Sequence, residues 1–271
     1  MLDGMTLAPS SAVPGWTAEY AVPLGGPGHL LLATFEQAAI GIAHLTLGEE
    51  WISVNQRYCE ITGYKREEIL QLKLDALKFR LALLGEPRKL PYRGHGGPEL
   101  DTGRLAWVLQ LAADAIGWNK PHLQGHGFGL ACHFTFGGYV AHAVEVSMEG
   151  TRLVIHNVVC AADLGRVVNP LGARAALVGA TLDGFSTALR ERITLKEGRV
   201  VQQGFKDYPL ATMAQIPHDV QVILVPSQEN PTGAFDMGFP SAAPALANAI
   251  FAGTTVRVRQ LPLWSELMRL L

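Results

Sequence analysis

Hydrophobic and polar positions follow several different periods along this chain, and each change of period marks a boundary. Residues 1–33 show no period: "LAPSSAVPGW" and "VPLGGPGH" are runs of Pro, Gly, Ala and Ser, expected to form a flexible leader. "HLLLATFEQA" then starts a short helix. Between residues 34 and 73, "GIAHLTL" and "WISVN" read as two short strands of a hairpin around "GEE". "NQRYCEITG" and "YKREEILQL" read as two short helices broken at Gly63.

From residue 74 the period lengthens. "LDALKFRLALLG" predicts an amphipathic helix stopped by Gly85 and Pro87. After the loop "KLPYRGHGGPELD", the segment "TGRLAWVLQLAADAIGW" puts Leu105, Val108, Leu109, Ala112 and Ile116 on one helical face, and Gly117 ends it. Beyond that helix, strands and turns alternate. "HFTFGGYVAHAVEVSM" and "RLVIHNVVC" read as strands flanking a turn at Glu149-Gly150. "RAALVGATLDGFSTALR" is helical, and "RITL" and "RVVQQG" make a second hairpin around "KEG". "DVQVILVPS" reads as a buried strand, "AAPALANAIFAG" as a helix, "VRVRQLPL" as a closing strand and "WSELMRLL" as a short amphipathic helix. The class this order predicts is α+β, mixed sheets with flanking helices.

Composition narrows the classes of function. Apolar residues are 48% and charged residues 17% of 271, which describes a globular chain with a real core. A net charge of −2, with no Lys/Arg cluster beside aromatics, gives no footprint for nucleic acid. Three scattered cysteines, Cys59, Cys132 and Cys160, make neither a disulfide framework nor a four-Cys iron–sulfur or zinc set. No basic start followed by an apolar run suggests a signal peptide, and no apolar stretch is long enough to span a bilayer, so a cytoplasmic location is expected.

The candidate chemistry is sparse. His122, His126 and His133 lie near one loop without a carboxylate or Cys at ligand spacing. His133 and His142, nine apart on what reads as one strand, are not expected to share a metal. "GHGFGLA" (125–131) is not a GxGxxG; it reads as a tight turn entering a strand, or as a loop whose backbone N–H groups at Gly127 and Gly129 approach a ligand closely. Ser186 and Ser241 have no local His partner, and no GxSxG or HExxH occurs. The remaining candidate is Asp236 in "PTGAFDMGFP", a lone loop carboxylate that by itself suits a turn or cap as well as a catalytic base.

"LKFRLALLGEPRKLPY", "HGGPELDTGRLAWVLQLAADAIGW", "HFTFGGYVAHAVEVSM", "VVCAADLGRVVNPLGARA", "GRVVQQGFKDYPL", "VILVPSQENPTG" and "APALANAIFAGT" occur in a fixed order. Together they resemble the C-terminal part of the molybdopterin-binding large subunit of the xanthine dehydrogenase/aldehyde oxidase family, of the isoquinoline 1-oxidoreductase beta-subunit type. The resemblance implies the fold of the C-terminal half of a molybdopterin-binding domain over 74–271. It also implies an oxidoreductase that hydroxylates an aldehyde or an N-heterocycle with a molybdenum–molybdopterin cofactor. The implied partners are an N-terminal molybdopterin-binding half and a small iron–sulfur subunit, with no iron–sulfur cluster in this chain.

At the loop matching the family's "GVGE" this sequence reads "GAFD". The resemblance therefore places the catalytic base at Asp236 and cofactor contacts at Gly233, Ala234, Phe235, Ala176, Gly127 and Gly129. Asp is one methylene shorter than Glu, a withdrawal of about 1.5 Å, and a ~1 Å misplacement costs ~100-fold in rate. Phe235 adds bulk, and the family's polar helix positions are Ala176 and Val178 here, its glycine pair is Gly179-Ala180, and its arginine near the Gly-rich segment is Phe128. The expectation is an incomplete fragment of such an enzyme with low or no activity alone.

"FEQAAIGIAHL", "WISVNQRYCEITGY" and "KREEIL" resemble the first half of a PAS sensor domain, so 34–73 is expected to be a truncated PAS-like segment. The alternatives that follow are a PAS-derived sensing or interaction module, and a fused reading frame without activity of its own.

Overall fold

The computed structural model describes residues 35–36, 43–45, 51–62, 65–66, 75–91 and 97–271. The expected leader, and most of "HLLLATFEQA" and "YKREEILQL", lie outside the described residues. Contacts divide the chain into two units, Met1–Leu74 and Asp75–Leu271.

In the first unit β1 (Ala43–Leu45) pairs antiparallel with β2 (Trp51–Val54), and α1 (Gln56–Thr62) follows, as the alternation predicts. Buried Asn55 joins them. Its Oδ1 accepts from the Tyr58 N–H at 2.9 Å, and its amide donates to the Phe35 carbonyl at 2.9 Å.

The second unit begins with α2 (Ala76–Leu84), whose N-cap Asp75 accepts from the N–H groups of Leu77 and Lys78, and which Gly85 stops. Only Leu77 of this helix is buried, so its expected amphipathic stripe is narrow. The loop after it carries a two-residue bridge between β3 (Lys89–Leu90) and β4 (Leu100–Asp101). Then α3 (Thr102–Ile116) is capped by Asp101 and ended by Gly117 in the left-handed conformation.

A four-stranded sheet follows, built from β5 (His126–Thr135), β6 (Gly138–Glu149), β7 (Arg152–Asp163) and β10 (Gln221–Leu224), in the order β10-β7-β6-β5. Only the β10–β7 pair is parallel. Two expectations change here. "HFTFGGYVAHAVEVSM" is not one strand: it folds back at Phe136-Gly137, whose φ angles of 48° and 83° are those of a type I′ hairpin. "DVQVILVPS" is an edge strand over Gln221–Leu224, exposed at Gln221, although Val220, Val222 and Val225 of the segment are buried.

Period-two alternation gives each sheet face its own core. Leu130, Tyr139, Ala141, Ala143, Val159 and Ala161 pack with α3. Val140, Val144, Val158, Cys160 and Ala162 pack with α4 (Pro170–Leu189) and α5 (Ala242–Thr254) on the opposite face. A small hairpin, β8 (Leu195–Lys196) and β9 (Arg199–Val200), turns at Glu197-Gly198 as read from the sequence. "VRVRQLPL" forms no strand: Val256 and Val258 do pack on the core, but the backbone finds no partner strand among the described residues. The amphipathic tail helix is α6 (Leu263–Leu270), with Leu263 and Leu267 buried. No helix among the described residues is long and apolar enough to cross a membrane.

Gly127 and Gly129 let α5 lie directly on β5. A Cβ at Gly129 would stand 2.1 Å from the Ala245 carbonyl oxygen and 2.3 Å from the Ala249 nitrogen; at Gly127 it would stand 2.1 Å from the Ala249 oxygen. These neighbours are helix backbone and cannot rotate away. Gly129→Ala is therefore expected to destabilise the fold by roughly 1–3 kcal/mol, the range for overpacking, seen as a lower urea midpoint. An unchanged midpoint would show that the helix does not sit where these contacts place it.

Candidate functional site

The turn carrying Asp236 is fixed from below. Buried Met237 anchors it, and its Cε reaches over Gly138 of β6, where a Cβ would lie 2.5 Å away. Gly238 abuts α4, where a Cβ would meet the Leu177 carbonyl oxygen at 2.5 Å. Asp236 itself takes φ 56°, a left-handed conformation that Asp tolerates better than most side chains. Its carbonyl accepts from the Phe239 N–H at 3.0 Å. The carboxylate is exposed and Phe235 is 84% exposed. On α4 nearby, the Asp183 carboxyl is raised above the usual carboxylate range by partial burial, then by Glu191, then by Asp236.

Gly233, Ala234, Phe235 and Asp236 thus share one turn, and Ala176 is half-buried on α4, one residue before the carbonyl that meets Gly238. Gly127 and Gly129 are not beside them. They lie within β5 under α5, in a strand rather than the expected loop, and the aromatic between them, Phe128, stacks on His122 with ring centroids 3.7 Å apart. Val178 packs against the core, Gly179 is exposed and Ala180 is buried.

Behind the turn runs a buried polar chain that sequence spacing does not show. His133 and His142 occupy neighbouring strands of the β5–β6 hairpin, on the same face. Each ring Nδ1 reaches the Ser241 hydroxyl, at 3.0 Å and 2.7 Å. His142 Nε2 lies 2.9 Å from Thr181 Oγ1, which donates to the Leu177 carbonyl at 2.7 Å. Ser241, which has no His partner nearby in the sequence, has two in the fold. The proton positions follow. Thr181 spends its hydrogen on Leu177, so His142 Nε2–H must donate to Thr181, and His142 Nδ1 must accept from Ser241. Ser241 Oγ then accepts from His133 Nδ1–H. This leaves His133 Nε2 as a bare acceptor, and it is buried without a partner among the described residues. Burial pushes His133 down to about 4; burial, then the neighbouring His133, push His142 to about 3, so both rings are neutral at pH 7.

A second polar group lies at the other end of the sheet. His126 Nδ1 and Glu145 Oε1 are 2.7 Å apart, Asn157 donates to the other Glu145 oxygen, and His126 stacks on His156 at 4.5 Å. Among the described residues no group of three or more His, Cys, Asp or Glu is placed to hold a metal ion.

Beside the Asp236 turn is a cleft of about 250 Å³, at the carboxyl end of β7. One wall is Leu164, Arg166–Asn169, Gly172 and Ala173; the other is Pro231, Gly233 and Ala234. Thr232 ties the walls, giving its N–H and its hydroxyl to the Leu164 carbonyl at 3.0 Å and 3.1 Å.

Residues 95–217 match the family described as "Molybdopterin cofactor-binding domain". A subunit of nicotinate dehydrogenase from Pseudomonas putida is 28% identical over 205 residues, covering 72% of this chain and 17% of the relative. The beta subunit of isoquinoline 1-oxidoreductase from Brevundimonas diminuta is 29% identical over 198 residues, covering 71% and 23%. The crystal structure of quinoline 2-oxidoreductase from Pseudomonas putida 86 aligns with 49% of this chain and 18% of its own, at 19% identity and a TM-score of 0.43. The chain spans about a fifth of the length of these curated relatives. The cleft falls short of the ~300–1,000 Å³ of sites that enclose drug-sized ligands, and Phe235 and Asp236 stand open on the surface. Residues 95–217 thus match a molybdopterin cofactor-binding domain, and some 70% of the chain is similar to subunits of nicotinate dehydrogenase and isoquinoline 1-oxidoreductase.

Proposed function

We propose that this chain supplies one wall of the active site of a molybdenum-dependent oxidoreductase that hydroxylates an aldehyde or an N-heterocycle. Further polypeptide, on the same or another chain, supplies the other wall and the iron–sulfur path for electrons. The observation that carries this is the rigid presentation of Asp236: a turn locked to α4 and β6 holds a carboxylate outward, beside the raised carboxyl of Asp183. When bound, the cofactor would supply the oxygen transfer and accept the electrons. Asp236 would hold a proton at its carboxylate, and Gly233, Ala234 and Ala176 would give close approach. Phe235, where the family has Gly, narrows that approach. The names of the relatives support an N-heterocyclic substrate.

Metal analysis tests this. Expressed with molybdenum and cofactor biosynthesis in full supply, the chain alone is expected to hold no molybdenum, and a complex with the complementary half is expected to hold it stoichiometrically. A complex without molybdenum would overturn the reading. Asp236→Glu in the chain alone is expected to give no turnover, because the second wall is still needed and Glu suits φ 56° less well. A measurable rate would contradict the need for a second wall.

A further inference from the structure

Seven of the 18 large apolar side chains that stand exposed among the described residues fall within 193–213. Single apolar side chains are ordinary on a surface, whereas a concentration of them marks an interface. Ile193, Leu195, Val200, Val201, Phe205 and Met213 are all exposed, Phe205 and Met213 at 82%. Hydrogen bonds nevertheless hold this arm in one shape. Its neck is tied to the end of α4: Glu191 accepts from Ser186, from Thr187 Oγ1 at 3.1 Å and from Tyr208 Oη at 2.7 Å, and Ser186 Oγ accepts from the Ala211 N–H at 3.0 Å. Its hairpin is closed by Gln202, whose side chain accepts from the Thr194 N–H and donates to the Thr194 hydroxyl, both at 2.8 Å. Polar groups set the form of the arm, and its large apolar side chains stay outside it. Such a surface is ordered before any partner arrives, which lowers the cost of association.

Charge and position say what covers it. Leu195 pairs with Val200 across β8 and β9, and Lys196 with Arg199 at the next position, so the cations border the apolar face of the hairpin rather than interrupt it. With Arg192 and Lys206 they make four exposed cations against two exposed anions, Glu197 and Asp207, and none of the four is in an ion pair among the described residues. A second copy of the arm would set cations against cations, whereas an apolar surface with an acidic margin complements it. The arm also adjoins the candidate site. The Asp183 carboxyl on α4 is raised by partial burial, then by Glu191 at the neck, then by Asp236, so neck and turn approach the same stretch of helix. The arm lies inside the matched 95–217 and is part of that domain. We infer that residues 193–213 are the docking arm for the polypeptide that completes the Asp236 site, a partner presenting an apolar surface with an acidic margin. The identity of that partner rests on the proposed oxidoreductase function.

The probe is the beta subunit of isoquinoline 1-oxidoreductase from Brevundimonas diminuta without the region this chain matches, co-expressed with the 271-residue chain under full molybdenum supply. A complex is expected, with hydrogen exchange slowed across 193–213. Leu195→Ser combined with Phe205→Ser is expected to weaken it at least about tenfold. The unfolding midpoint of the chain should not change, since both side chains are exposed. Trp107→Ser removes an exposed aromatic on α3, across the sheet from α4, and is expected to leave the complex as it is. Lys196→Glu with Arg199→Glu is expected to slow association about tenfold at low salt and less at high salt. A complex that holds molybdenum but forms equally well with the Leu195/Phe205 variant would overturn the docking arm and leave the proposed function standing. A complex that depends on Leu195 and Phe205 but holds no molybdenum would do the reverse. No complex, a dimer of the chain alone that Phe205→Ser dissociates, or sedimentation of the chain with phosphatidylserine vesicles would each overturn the assignment of the arm to this partner.

Discussion

Acidification from about pH 7.5 to pH 4 is expected to cost the fold roughly 3 kcal/mol for each of His133 and His142. Both rings are neutral and desolvated in the folded chain, at about 4 and about 3, and both return to the ordinary 6.5 when the chain unfolds. Below pH 6.5 the unfolded chain takes up two protons that the folded chain refuses. Stability present above 6.5 is therefore lost as the pH falls toward the folded values. The hydrogen-bond chain explains why no internal carboxylate rescues them: their ring partners are hydroxyls, and the one open nitrogen, His133 Nε2, has no partner among the described residues. Urea midpoints at pH 7.5, 6 and 5 would show the fall. His142→Gln keeps an acceptor for Ser241 and a donor for Thr181 without a titrating ring, and should remove about half of the pH slope. A midpoint that does not move between pH 7.5 and 5 would show that these rings titrate normally.

That chain also marks where reading the sequence stops. Helix α3 is legible because its apolar period and both caps, Asp101 and Gly117, are local signals. The turns at Glu149-Gly150 and Glu197-Gly198 are legible for the same reason. The turn at Phe136-Gly137 is not, because a bulky aromatic stands where Asn or Asp would announce a positive φ. Without that turn His133 and His142 read as one strand, whereas the hairpin brings them onto one hydroxyl from 108 and 99 residues away. Only the tertiary fold makes such a pairing. The glycines are a different case. Gly127 and Gly129 are two apart and so share one strand face, a readable sign of a close-packed neighbour rather than of a loop. Arg166 and Asn169 stand within "GRVVNP", inside one of the segments that carry the family resemblance, but only the facing wall at 231–234 gives them a cavity to line.

Arg104→Met is expected to destabilise the protein by roughly 3–5 kcal/mol, the cost of stranding a buried charge. Arg104 reaches from the first turn of α3 to Asp163, the last residue of β7, with Nε and Nη2 on the two carboxylate oxygens at 2.7 Å and 2.6 Å. Asp163 is nearly fully buried, with a side chain 6% exposed, and it also accepts from the Gly165 N–H at 3.1 Å. The guanidinium lies 4.4 Å over the Tyr139 ring, and Tyr139 Oη accepts from the Asp101 N–H at 2.8 Å, so the pair is built into the α3 cap. Removing the arginine leaves the carboxylate with one backbone donor in a site that water barely reaches. Arg104→Lys keeps the charge but loses the two-pronged geometry and should cost less. Arg104→Met combined with Asp163→Asn should recover part of the loss, because no uncompensated charge remains. The position of Asp163 makes the consequence local as well. The residues after it form one wall of the cleft, so hydrogen exchange over 164–173 should rise in Arg104→Met before the rest of the sheet loosens. A double variant no better than Arg104→Met alone would show that the stranded charge is not the source of the loss, and that the arginine acts instead through its packing on Tyr139.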